Sequence, residues 1–107
     1  MRTHLFILTA ALALAGARVA MAAEDPAAVF TAQCAKCHGE TGESDTKSGK
    51  NLKVPHLKGD DKIAKMSLAE VVEKVKTNDK HKTFANKLTP EQIEAGATRA
   101  KQIAAGQ

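Results

Sequence analysis

Residues 23–107 carry two aromatic side chains, Phe30 and Phe84, and neither Trp nor Tyr. A domain of that size buries only a modest share of its surface and usually needs a disulfide, a metal or a bound cofactor to complete its core. With so little ring volume, side chains alone leave this core short. Something other than side chains is therefore expected to fill it.

The bound at residue 23 comes from the stretch before it, MRTHLFILTAALALAGARVAMA. It has a basic start at Arg2, an apolar run from Leu5 to Ala17 and a small-x-small site at Ala20-Met21-Ala22, the anatomy of a secretory signal peptide. The apolar run is too short to span a bilayer and is followed by Arg18, Glu24 and Asp25. We expect residues 1–22 to be removed after Ala22, leaving one domain at 23–107 that is exported to the periplasm without stable membrane insertion. Arg2 and Arg18 leave with the leader, so the formal net charge falls from +4 for the whole chain to +2. That weak excess, with no aromatics interleaved among the lysines, argues against a nucleic-acid partner.

Three helical stretches stand out, with no alternating run long enough for a sheet. Asp25-Pro26 reads as an N-cap followed by proline at the first helical position, opening a helix through AAVFTAQCAKC. Ser67-Leu68-Ala69-Glu70 and Thr89-Pro90-Glu91-Gln92 read as capping boxes that open LAEVVEKVK and EQIEAGATRAKQIA. Residues 39–59 offer no periodic apolar face and read as a long loop, a length that is unusual in so small a domain unless it wraps something. The expected class is all-α, about three to four helices around a single bound group.

Cys34-Ala35-Lys36-Cys37-His38 answers the shortage. CxxCH is the c-type haem attachment pattern: near the end of a helix, two cysteines three apart can form thioethers with the haem vinyl groups, and the next residue brings its imidazole to the iron. His38 is then the proximal ligand, and its other ring nitrogen needs an acceptor. Two other chemistries use these residue types. A thioredoxin-like disulfide expects an α/β context, and no strands are read here. A zinc site would add His56 or His81 to Cys34, Cys37 and His38, but zinc modules favour separated ligand pairs.

On these residues the chain resembles the small class I c-type cytochromes, the group that includes bacterial cytochromes of the c6, c553 and c555 kinds. Phe30, four residues before Cys34, matches an aromatic on the family's first helix. VPHLKG, Val54 to Gly59, is similar to a Pro-x-Leu-x-Gly segment whose proline carbonyl accepts the proximal histidine's N–H, a role that falls on Pro55. LTPEQIEAGATRAKQIA resembles the terminal helix that crosses the first, although the aromatic usual near Gly96 to Arg99 is absent. The resemblance implies one covalently attached haem c with its iron, inside the cytochrome c fold.

It also implies a sixth ligand shortly before the last helix, commonly a methionine in a segment like Met-Pro-x-Phe. Here the matching residues are His81-Lys82-Thr83-Phe84. Met1 and Met21 leave with the leader, so Met66 is the single remaining methionine, and it occupies the staple position before Ser67. His81 is the expected distal ligand and Met66 the alternative. His56, Lys80, Lys82 and Asn78 are further residues that could reach the iron, and Phe84 is expected to pack on the haem or the last helix.

A haem ligated on both faces is closed to substrates and suits electron transfer, and two imidazoles without a thioether imply a lower potential than methionine-ligated relatives have. Lys36, Lys47, Lys50, Lys53, Lys58, Lys62 and Lys65 crowd the attachment site and the segment after it, a patch that would steer an acidic redox protein or simply solubilise the loop. The rival reading is a haem that binds NO, CO or O₂ at a weak or absent sixth position. Enzymatic catalysis has no support, because no paired carboxylates, nucleophile with base or phosphate loop is found.

Overall fold

The computed structural model describes residues 24–107. The signal peptide and its expected cleavage site lie outside the described residues. Six α-helices follow in chain order: α1 Pro26–Gln33, α2 Ala35–His38, α3 Lys47–Asn51, α4 Asp61–Lys65, α5 Leu68–Thr77 and α6 Pro90–Ala104. Two short 3-10 turns, Asp79–His81 and Ala85–Lys87, connect α5 to α6. The described residues contain no strand, so the expected all-α class holds.

The count exceeds the three to four expected because α2, α3 and α4 span only four or five residues and leave no apolar period to read. Side-chain caps fix the N-terminal ends of α3 and α4, and α2 has none. Thr46 Oγ1 accepts the Gly49 N–H at 2.9 Å to open α3, and Asp60 Oδ1 accepts from Lys62 and Ile63 at 3.0 and 3.2 Å to open α4. The first helix does not run unbroken through Cys37. It ends at Cys34 (φ −116°, ψ −32°), where the carbonyl oxygen accepts from both Cys37 and His38, at 3.2 and 3.0 Å, in a tighter turn.

The caps read from sequence hold unequally. Thr89 forms the full reciprocal box, its hydroxyl accepting from Gln92 N–H at 3.1 Å and its own N–H donating to Gln92 Oε1 at 2.9 Å. At Ser67 only half of the box forms: the hydroxyl oxygen accepts from Glu70 N–H at 3.2 Å, and the Glu70 carboxylate takes the hydroxyl proton instead of the backbone N–H.

The core lies where α1 crosses α6. Phe30, 2 % exposed, packs with Ala100 and Ile103, and Cys34 and Leu57 lean on that cluster. In place of an aromatic, α6 presents the small buried residues Gly96, Ala97 and Ala100. Their size lets the helices close up, since a Cβ added at Gly96 would stand 3.4 Å from Cys34 Sγ. Residues 39–59 are folded onto this pair. Gly42, at φ +76°, brings its backbone to Leu57 and Ile103 where any Cβ would collide with the isoleucine, and its carbonyl accepts from Leu57 N–H at 2.8 Å.

Candidate functional site

The carbonyls of α2 are tied down by the loop that follows it. Thr46 Oγ1 donates to Lys36 O at 2.6 Å, with Cys37 O 3.2 Å away, and Ser44 N–H donates to His38 O at 2.7 Å. Gly49 lies so close that a Cβ there would run into the Cys37 and Ser44 carbonyl groups. Cys34, Cys37 and His38 thus stand on a short, braced piece of backbone, and all three line one cavity of about 300 Å³. Its size is at the lower end of the range for small-molecule and cofactor sites.

Burial shifts the ionisation of Cys34 and His38. It pushes the Cys34 thiol up to about 11, with the neighbouring Cys37 adding to the effect. It also lowers His38 to about 4, with His81 contributing. At neutral pH His38 is therefore uncharged, the state in which an imidazole can ligate a metal. Its Nδ1 is buried without a hydrogen-bond partner. The bond expected from His38 to the Pro55 carbonyl is not made: Pro55 lines the cavity, but its oxygen accepts the Ser44 hydroxyl at 2.9 Å.

The opposite wall is built by α5 and the turn after it. His81 and Phe84 face the cavity there, together with Val71 and Val75. The His81 ring centre is 6.2 Å from that of His38, with the planes at 60°. Its Nδ1 lies 2.9 Å from Val75 O. A carbonyl can only accept, so Nδ1 carries a proton, and in the neutral ring Nε2 then keeps a free lone pair. Phe84 packs edge-on against His81 with ring centres 5.3 Å apart, and Phe30 packs on His38 at 6.2 Å.

Of the other candidates, His56, Asn78 and Lys80 also line the cavity, whereas Met66 and Lys82 do not. Met66 caps the end of α4, outside the cavity wall, and its carbonyl accepts from Lys101 Nζ. His56 is exposed at the rim. Asn78 spends its side-chain oxygen on Lys80 N–H at 2.9 Å, Lys80 Nζ donates to Leu52 O at 2.6 Å, and Lys82 pairs with Asp79 at 2.8 Å. Among the described residues no group of three or more His, Cys, Asp or Glu side chains converges on a metal ion, as a structural zinc site would require. Lys36, Lys47, Lys50, Lys53, Lys58, Lys62 and Lys65 are all exposed.

Sequence reading missed Ser44, Thr46 and the Val75 carbonyl. Thr46, three residues before Gly49 in a polar run, carried a readable cap signal. Ser44 and Val75 carried none, because their partners are set by tertiary packing.

The residues present fit a covalently held haem. Two thiols at CxxCH spacing and two neutral-capable imidazoles share one cavity, and an apolar wall of Ile93, Ala97 and Ala100 closes its α6 side. The family model described as cytochrome c oxidase, cbb3-type, subunit III matches residues 21–98. No curated protein and no solved structure matches the chain.

Proposed function

The chain belongs to the family of cytochrome c oxidase, cbb3-type, subunit III, and on that premise we propose that it is an exported, periplasmic electron carrier with a single haem ligated by His38 and His81. The family is one of class I c-type cytochrome domains, so the fold is the all-α cytochrome c fold and the implied group is covalent haem c with its iron. Bound there, haem supplies a one-electron ferric–ferrous couple.

The observation that carries the reading is the spacing of the two imidazoles. A metal–imidazole bond is about 2.0–2.1 Å long and an imidazole ring has a radius of about 1.1 Å, so two rings sharing one metal ion can sit at most about 6.3 Å apart centre to centre. The rings of His38 and His81 are 6.2 Å apart. Cys34 and Cys37 would tether the group and His38 and His81 would hold the iron, with Phe30 and Phe84 packed beside the two imidazoles. With His81 standing where a thioether would raise the potential, the couple is expected at the low end for such domains. Two fixed ligands favour a carrier over an enzyme, since neither face is open to a substrate. The exposed lysines around the attachment site favour an acidic redox partner.

The test is spectroscopic. The haem-loaded protein should be low-spin in both oxidation states and slow to bind CO, and His81→Ala should become high-spin and bind CO readily. An unchanged spectrum in His81→Ala would exclude His81 as the ligand. A parent protein that takes up CO at once would replace the carrier reading with gas binding.

A further inference from the structure

The ring that faces His38 is held by a closed circuit of hydrogen bonds centred on one exposed residue. Asn78 ends α5, its N–H donating to Lys74 O at 3.0 Å. Its side-chain oxygen accepts from Lys80 N–H at 2.9 Å and its carbonyl accepts from His81 N–H at 2.9 Å, which winds the 3-10 turn Asp79–His81. The His81 ring then folds back over the end of α5, where its Nδ1–H donates to Val75 O at 2.9 Å. Val75 O belongs to the last turn of α5 and accepts no backbone N–H among the described residues. A local cap, the helix terminus and the imidazole tautomer are thus one linked arrangement.

We propose that Asn78 is a positioning residue for the distal ligand: by capping the turn it holds His81 with Nδ1 donated to Val75 and Nε2 offered to the iron. The proposal rests on the reading that His81 ligates the haem. Asn78 is exposed, so its amide contributes little to the core, and what it fixes is the turn. An Asx cap is among the few side-chain devices that hold so short a turn. When the cap is lost, the turn opens more often, His81 leaves the iron more often, and an incoming ligand finds the site free for a larger fraction of the time.

CO association with the reduced, haem-loaded protein measures that fraction. In Asn78→Ala the rate should rise about fivefold, the effect of losing a typical cap, while the ferric spectrum stays low-spin. Asn78→Asp keeps an acceptor oxygen at the same place and should return the rate to within about twofold of the parent. A cap that served only global stability would lower the melting temperature and leave the CO rate alone, because global unfolding is far rarer than local opening. An Asn78→Ala rate equal to the parent's, or an Asn78→Asp rate as high as that of Asn78→Ala, overturns the proposal. The control His81→Ala separates this failure from that of the underlying reading: if His81→Ala also matches the parent in spectrum and CO rate, His81 is not the ligand.

Discussion

The two histidines stand on walls built in contrasting ways. His38 sits in α2, whose carbonyls are bonded to Ser44 and Thr46 from a loop packed so tightly that Gly42 and Gly49 leave no room for a methyl group. His81 sits in a three-residue 3-10 turn with exposed neighbours, held by the Asn78 cap, the Val75 carbonyl and one bond from Lys80 to Leu52 that ties the turn to the other side of the cavity. The first wall resists any change of shape, and the second opens by breaking a few solvated bonds. Local stability follows buried contacts and protected hydrogen bonds, so the two sides of one cofactor site can differ in opening free energy by several kcal/mol.

The sharpest way to break this contrast is to compare the two phenylalanines. Phe30→Ala removes the ring that fills the α1–α6 core and should cost about 3–5 kcal/mol, read from the denaturant midpoint of the haem-loaded protein. Phe84→Ala, at a half-buried ring over His81, should cost less than half as much. Equal losses would mean that the distal wall is as rigid as the proximal one. Next in size is Gly49→Ala, which drives a Cβ into the Cys37 carbonyl and should destabilise by about 1–3 kcal/mol in the same assay. Removing the α3 cap with Thr46→Ala should cost about 1 kcal/mol. The smallest effect belongs to the distal side: Lys82→Ala deletes an exposed pair with Asp79 and should shift stability by no more than about 0.5 kcal/mol, a loss that shrinks further in high salt.

What could be read in the sequence was what is decided locally. CxxCH, the Asp25 and Thr89 caps and the period of α5 each depend on residues within one or two turns, and each stands where it was expected. The folding of residues 39–59 could not be read, because its short helices gain nothing from periodicity and everything from neighbours distant in sequence, such as Ile103 against Gly42. The same holds for Pro55. Its carbonyl was expected to meet His38, but the left-handed backbone of Ser44 (φ 53°) presents a hydroxyl to that oxygen, and nothing local to Ser44 announces such a conformation. His81 was legible only by its place in the chain, and its tautomer was not, because that depends on the carbonyl of Val75 six residues earlier.

The crossing of α1 and α6 has a kinetic consequence. The core joins the earliest described helix to the last one, and the other described elements lie between them in the sequence. Contacts so far apart in sequence require closure of nearly the whole chain before they repay the entropy lost, which slows folding. During synthesis the attachment cysteines emerge long before the helix that packs against Cys34. The Cys34 thiol therefore passes through an interval in which it is accessible, until α6 has formed against it.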